Sequence, residues 1–158
     1  MKALLTLSLV AALCAGCRPA EEDLRRLIAE EVAHGGTQYI KPSAVIGPYT
    51  PAVRSGNLLF VSGQIAIDPA TGILVKENIE AETRQVLTNL DRVLKASGYD
   101  SSNVVSATVY LKNMGDYAAV NEIYGKFFPE GKYPARAAIQ VAALPKDANI
   151  EIAVIACK

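Results

Sequence analysis

The chain has no tryptophan, one histidine and three cysteines in 158 residues, and its sixteen basic residues cancel its sixteen acidic ones. Each shortage excludes something. Cys14 and Cys17 lie together near the start and Cys157 near the end, so no disulfide framework of a small secreted scaffold can be built. The lone His34 and the scattered cysteines supply no metal-ligand set at a recognisable spacing. Balanced charge, with no Lys/Arg cluster interleaved with aromatics, lacks the electrostatic footprint of a nucleic-acid binder. Low-complexity runs are missing too. With 51% hydrophobic and 20% charged residues, the composition is that of a folded chain with an aliphatic core.

The first residues read differently from the rest. Met1-Lys2 is followed by an apolar run from Ala3 to Leu13 and then by Cys14-Ala15-Gly16-Cys17. A positive start, a short apolar stretch and small residues are the layout of a secretory signal, and the run is shorter than the ~20 residues of a membrane span. The end resembles a bacterial lipobox with Cys17 as the lipidated residue, although Cys14 stands where Leu is usual. We therefore expect residues 1–17 to be an export signal and the protein to be a membrane-anchored periplasmic lipoprotein, with cleavage to a soluble periplasmic form as the alternative that Cys14 leaves open. The Cys14-x-x-Cys17 spacing is also that of a redox motif, but here it follows a signal run rather than opening a helix after a strand.

Residues 18–43 are expected to form a helical stalk or linker. Leu24, Leu27, Ile28 and Val32 recur at helical spacing, Glu21, Glu22 and Asp23 suit the first turn, and Gly35-Gly36 stops the pattern. His34 then sits at a helix C-terminus, where a cation complements the dipole.

One domain is expected over residues 44–158. Ala52-Val53-Arg54 and the run from Leu58 to Ile65 flank the turn Ser55-Gly56-Asn57, and Ile73-Leu74-Val75 reads as a short return strand after the turn Asp68–Gly72. A helical stripe of Ile79, Val86, Leu87, Leu90, Val93 and Leu94 ends at Gly98. Val104 to Leu111 is a strand. A second helix runs from about Gly115 to Phe128, with Tyr117, Val120, Tyr124 and Phe127 inward. Strands around Ala135–Val141 and Ile150–Cys157 complete the order β-β-β-α-β-α-β-β, an α+β arrangement with a mixed sheet and two helices on one face. The last strand is apolar on both faces apart from Glu151, so the uncovered face is expected to be buried by oligomerisation. Cys157, in that strand, is simplest as a small packed residue.

Glu151 and Arg136 stand out on chemical grounds. A carboxylate in an otherwise hydrophobic strand costs several kcal/mol to bury as an ion unless it is paired or protonated. Arg136 is likewise a charge entering an apolar strand, and the Leu144–Asn149 loop is short enough for the two strands to be neighbours. A buried or interface salt bridge between them is one reading; a functional pair is the other.

Five segments carry a resemblance. These are Ile46-Gly47-Pro48-Tyr49; Val61-Ser62-Gly63-Gln64-Ile65; Asp68-Pro69-Ala70-Thr71-Gly72; Val120-Asn121-Glu122-Ile123-Tyr124; and Pro134-Ala135-Arg136 continuing through Ala142-Ala143-Leu144 to Ile150-Glu151-Ile152. In order and spacing they are similar to the reactive-intermediate deaminase family, RidA or YjgF. The resemblance implies a chorismate-mutase-like α+β fold, a homotrimer with sites between subunits, and hydrolysis of small 2-imino acids or their enamines to 2-keto acids and ammonia, with neither metal nor cofactor. It implies that Arg136 grips the substrate carboxylate, as a planar guanidinium does well, and that Glu151 holds or activates the attacking water. Tyr49, Ser62 and Asn121 match residues lining or adjoining the family site. Ala138 replaces a cysteine found two residues after the arginine in many members; it keeps the backbone N–H and loses the thiol, which implies retained activity with altered preference. A non-enzymatic module of the same fold, binding carboxylate ligands or acting as a chaperone-like lipoprotein, is the alternative.

Overall fold

The computed structural model describes residues 36–42 and 45–158, together with Glu22, Asp23 and Arg25, which are helical. The expected export segment, Cys17, the remainder of the stalk helix and His34 lie outside the described residues. From Thr37 onward the elements are β1 (Thr37–Ile40), β2 (Ala52–Ser55), β3 (Leu58–Gln64), α1 (Ile79–Ala96), β4 (Val104–Leu111), α2 (Tyr117–Gly125), β5 (Ala135–Gln140) and β6 (Ile150–Cys157). The strands form one sheet in the order β1-β2-β3-β6-β4-β5, antiparallel throughout except for β4 and β5, which run parallel.

Period-two alternation sorts the sheet into two faces. On β6, Ile150, Ile152, Val154 and Ala156 are buried beneath the helices, whereas Glu151, Ala153, Ile155 and Cys157 point to the other side and are only half-buried. Leu59 and Val61 of β3 and Ala107, Val109 and Leu111 of β4 join the covered face. The opposite face exposes Leu58, Phe60 (44%) and Ile139 (45%), an apolar surface that no helix covers among the described residues.

Helix α1 is locally well specified. Asn78 caps it by accepting from Ala81 N at 2.8 Å, and Glu80 and Glu82 complement the dipole in its first turn. Val86, Leu90 and Leu94 lie fully buried on one stripe, each aliphatic side chain contributing roughly 1.5–3 kcal/mol of transfer free energy. Gly98, at φ +76°, ends it, with Tyr99 N donating to Leu94 O at 2.9 Å.

Three expectations are corrected. Ile73–Val75 is not a strand: its part in pairing is the isolated bridge Ile67↔Leu74, flanked by the bonds from Asp68 N to Ile73 O and from Val75 N to Ala66 O, beyond which no ladder continues. The sheet gains β1 instead, within the stretch read as linker; four residues are too short to show a period. Lastly, β5 and β6 are not neighbours, since β4 lies between them. The β4-α2-β5 unit places β5 parallel beside β4, as such a crossover does, and the Leu144–Asn149 loop then carries the chain to the other edge of β4.

Candidate functional site

Glu151 and Arg136 do not form a salt bridge within the chain, because they lie on opposite faces of the sheet. Across β4, Glu151 is registered with Tyr110 and Arg136 with Ala107, residues three apart on a strand whose side chains alternate. The two residues therefore belong to two separate clusters.

The first cluster is built at the irregular end of β3. Pairing of β3 with β6 slips between Val61 and Gln64, a bulge of the kind that re-aims side chains. The space left by the missing side chain of Gly63 is taken by Glu151: a Cβ there would stand only 2.6 Å from the Glu151 carboxyl carbon and closer still to Oε1. Glycine within a strand commonly marks such a close approach. Burial in these apolar surroundings pushes the Glu151 carboxyl above its ordinary value of 4.5. Ser62 uses its hydroxyl to donate to Thr50 O at 2.7 Å, and its backbone N–H donates to Pro51 O at 3.0 Å, tying the segment after Tyr49 to β3. Tyr49 itself is 41% exposed. It lines a cavity of about 250 Å³ together with Gly63, Gln64, Asn89 and Arg92. Thus Glu151 packs against Gly63 and Ser62 adjoins it in the chain, while Tyr49 shares with Gly63 a cavity that neither Glu151 nor Ser62 lines; Gly63 is a residue that the motif contains and to which sequence reasoning assigns no role.

The second cluster lies between β5 and α2. Arg136 Nη1 donates to Asn121 Oδ1 at 2.7 Å and Nη2 to the Tyr117 hydroxyl at 2.9 Å. Its guanidinium also sits over the Tyr124 ring at 4.8 Å and the Tyr117 ring at 5.5 Å from the centroids, cation–π distances. Two of the five N–H donors a guanidinium carries are thereby engaged, which leaves the others for an oxyanion. Ala138 follows on the same face of β5 and packs against the core. The helical stripe places Tyr117 inward; in the structure it is 37% exposed and holds the arginine instead. Helical spacing cannot distinguish a residue that faces the sheet from one that reaches the sheet edge. Tyr124 is buried, and its phenol is pushed up to about 12 by that burial, with Arg136 opposing.

Together these features define a class: a small α+β chain whose mixed sheet carries an aromatic-cradled arginine on one face and a half-buried carboxylate, seated on a glycine, on the other. Residues 40–158 match the model of the Endoribonuclease L-PSP family. A RutC family protein of Pyrococcus horikoshii is 53% identical over 113 residues, 72% of this chain and 89% of that protein. A 2-iminobutanoate/2-iminopropanoate deaminase of Capra hircus is 48% identical over 116 residues, 73% and 84% of the two chains. Among solved structures, the YjgF gene product of E. coli superposes with a TM-score of 0.72 at 38% identity, covering 77% of this chain and 98% of that one. The chain therefore belongs to the RidA/YjgF family, named Endoribonuclease L-PSP in its family model, and has that family's α+β fold.

Proposed function

We propose that the chain hydrolyses small 2-imino acids, and the enamines in equilibrium with them, to 2-keto acids and ammonia. The observation that carries the reading is the carboxylate of Glu151, half-buried against Gly63 with a raised pKa, on an apolar face that needs a partner. Relatives named as 2-iminobutanoate/2-iminopropanoate deaminases at 47–48% identity support the same chemistry.

In this reading a second copy of the chain lays its Arg136 against the Glu151 face, and three copies close a ring with three composite sites. Arg136 of one copy takes the substrate carboxylate with its unengaged N–H donors. Glu151 of the next accepts a proton from water as the oxygen bonds to C2 of the protonated imine, whose C=N π pair becomes the lone pair on nitrogen. Glu151 returns that proton to the carbinolamine nitrogen, then takes the C2 hydroxyl proton as the carbonyl forms and the C–N bond breaks; the departing ammonia carries that proton away as ammonium. Tyr49 orients substrate or water, and Ser62 holds Tyr49's segment in place. The upward shift of the Glu151 carboxyl makes it a stronger proton acceptor than an ordinary carboxylate. We also propose that Cys17 is lipidated and the domain held at a membrane on the periplasmic side.

The deciding assay generates 2-iminobutanoate or 2-iminopropanoate with an amino-acid oxidase and follows its decay. Wild type should accelerate decay, whereas Arg136→Ala and Glu151→Gln should not. Equal decay in all three overturns the reading.

A further inference from the structure

Glu82 is an ionisable residue with no accessible surface, and the proposed chemistry does not use it. It lies in the first turn of α1, remote in sequence from Glu151. Both of its oxygens are engaged by one residue: Asn149 N donates to Oε1 at 2.7 Å and Asn149 Nδ2 donates to Oε2 at 2.8 Å. Asn149 is also gripped from the other side, where Lys112 N, at the end of β4, donates to Asn149 O at 2.9 Å. Asn149 immediately precedes β6 and stands two residues before Glu151.

We infer that Glu82 is a positioning residue for Glu151, acting through Asn149 to fix the register and height at which β6 enters the sheet. The inference rests on the proposed reaction for its catalytic consequence, though not for its structural one. Glu151 is paired through its strand with Tyr110 of β4, but on its other side it meets the β3 bulge, where regular pairing has lapsed. The start of β6 thus has a ladder on one side only, and the Glu82–Asn149 bidentate clamp supplies the second hold. The approach to it is a costly loop: Lys146 and Asp147 both adopt positive φ, 55° and 57°, which non-glycine residues rarely do. Lys76 Nζ ties this loop down by donating to Asp147 O at 2.6 Å, and Lys112 Nζ bonds the Asp147 carboxylate. A strand slipped by one residue would turn Glu151 onto the helix-covered face, and smaller shifts would lift its carboxylate from Gly63.

A carboxylate is the side chain this clamp requires, because Asn149 presents two donors and Glu82 must present two acceptors. Exchanging the two polarities makes a test. Asn149→Asp alone sets a carboxylate against Glu82 and breaks the clamp. Glu82→Gln/Asn149→Asp restores it: the amide oxygen introduced at position 82 accepts from the backbone N–H of position 149, and the amide nitrogen donates to the new carboxylate. Glu82→Ala removes the clamp outright.

The readouts are kcat and KM for imine decay, melting temperature, and titration of the Glu151 carboxyl by ¹³C NMR, assigned with Glu151→Gln. Displacing the reacting group while leaving the substrate anchor in place should lower kcat about tenfold or more in Glu82→Ala and Asn149→Asp, with KM within about twofold because Arg136 is untouched. The Glu151 titration should fall toward its ordinary value as the carboxyl leaves its seat. The double variant should recover both. A purely structural role would lower the melting temperature and leave kcat per folded site and the Glu151 titration unchanged, and that result overturns the inference. If Glu82→Ala does not fold, Asn149→Asp and the double variant decide by the same criteria. If wild type shows no imine hydrolysis, the proposed reaction fails while the titration still decides the positioning role.

Discussion

The carboxylate of Glu151 occupies the volume that a side chain at position 63 would fill, its carboxyl carbon lying 2.6 Å from where a Cβ on Gly63 would stand. Glycine is required here for proximity rather than for backbone freedom, since Gly63 does not adopt a positive φ. Gly63→Ala should therefore push the end of a flexible side chain aside and leave the strand intact. The expected outcome is a loss in kcat of about tenfold to a hundredfold with a small change in melting temperature. A large loss of stability with kcat per folded site preserved would contradict it.

Burial holds the Glu151 carboxyl above 4.5, so the folded chain binds this proton more tightly than the unfolded chain. Its contribution to stability is fully present below the unfolded value and is lost as pH rises through the folded one. Glu151→Gln removes an ion from a half-buried seat and should raise the melting temperature at pH 7, with the difference shrinking toward pH 4. The acid limb of kcat in the wild type should lie above 4.5, because activity needs the carboxylate. Thermal melts and initial rates across that range test both.

Arg136 holds Asn121 and Tyr117 with two donors and offers the rest. Arg136→Lys keeps the charge but loses the planar fork, and KM should rise by about tenfold or more. Tyr117→Phe keeps the ring face and removes the hydroxyl, so KM should change by only about twofold to fivefold. Steady-state kinetics on one imine substrate, with 2-keto acid inhibition constants as a check on carboxylate binding, separates the two effects.

Since Arg136 and Glu151 lie on opposite faces, their cooperation in one reaction demands two copies of the chain. Arg136→Ala and Glu151→Gln should each be inactive alone. Mixed under conditions that allow subunits to exchange, they should recover up to about a quarter of wild-type activity, the statistical share of composite sites that inherit both intact residues. No recovery after demonstrated exchange would count against composite sites.

The fold is largely legible in the sequence, for reasons visible in particular residues. Leu87, Leu90, Val93 and Leu94 announce α1, and the alternation from Ile150 to Cys157 announces β6, because long periodic segments sum many small preferences. Thr37–Ile40 escapes such reading because four residues, three of them exposed, have no period to detect. The neighbour relation of β5 and β6 is misjudged from loop length, which bounds distance and does not reveal an intervening strand; α2 between β4 and β5 is the better clue, since a crossover helix favours a parallel pair. Within the candidate site, a charge in an apolar strand singles out Glu151, which the structure seats against Gly63. Gly63 has a usable signal, glycine inside a strand run. The hydroxyl of Tyr117 has none, and Glu82 looks in sequence like any acidic residue at a helix start.

The strand β1 also bears on the proposed anchoring at Cys17. If Cys17 carries the lipid, the leash to the sheet is the nineteen residues 18–36, because Thr37 is already paired with Ser55. A segment of that length spans about 28 Å as a helix and no more than about 65 Å fully extended. The domain would then work within a thin layer above the bilayer, and three such leashes on one assembly would restrict how it can tilt there. If the chain hydrolyses imines as proposed, its substrates would be drawn from whatever small imines arise or diffuse within that layer, so the length of an anchor would set its working neighbourhood.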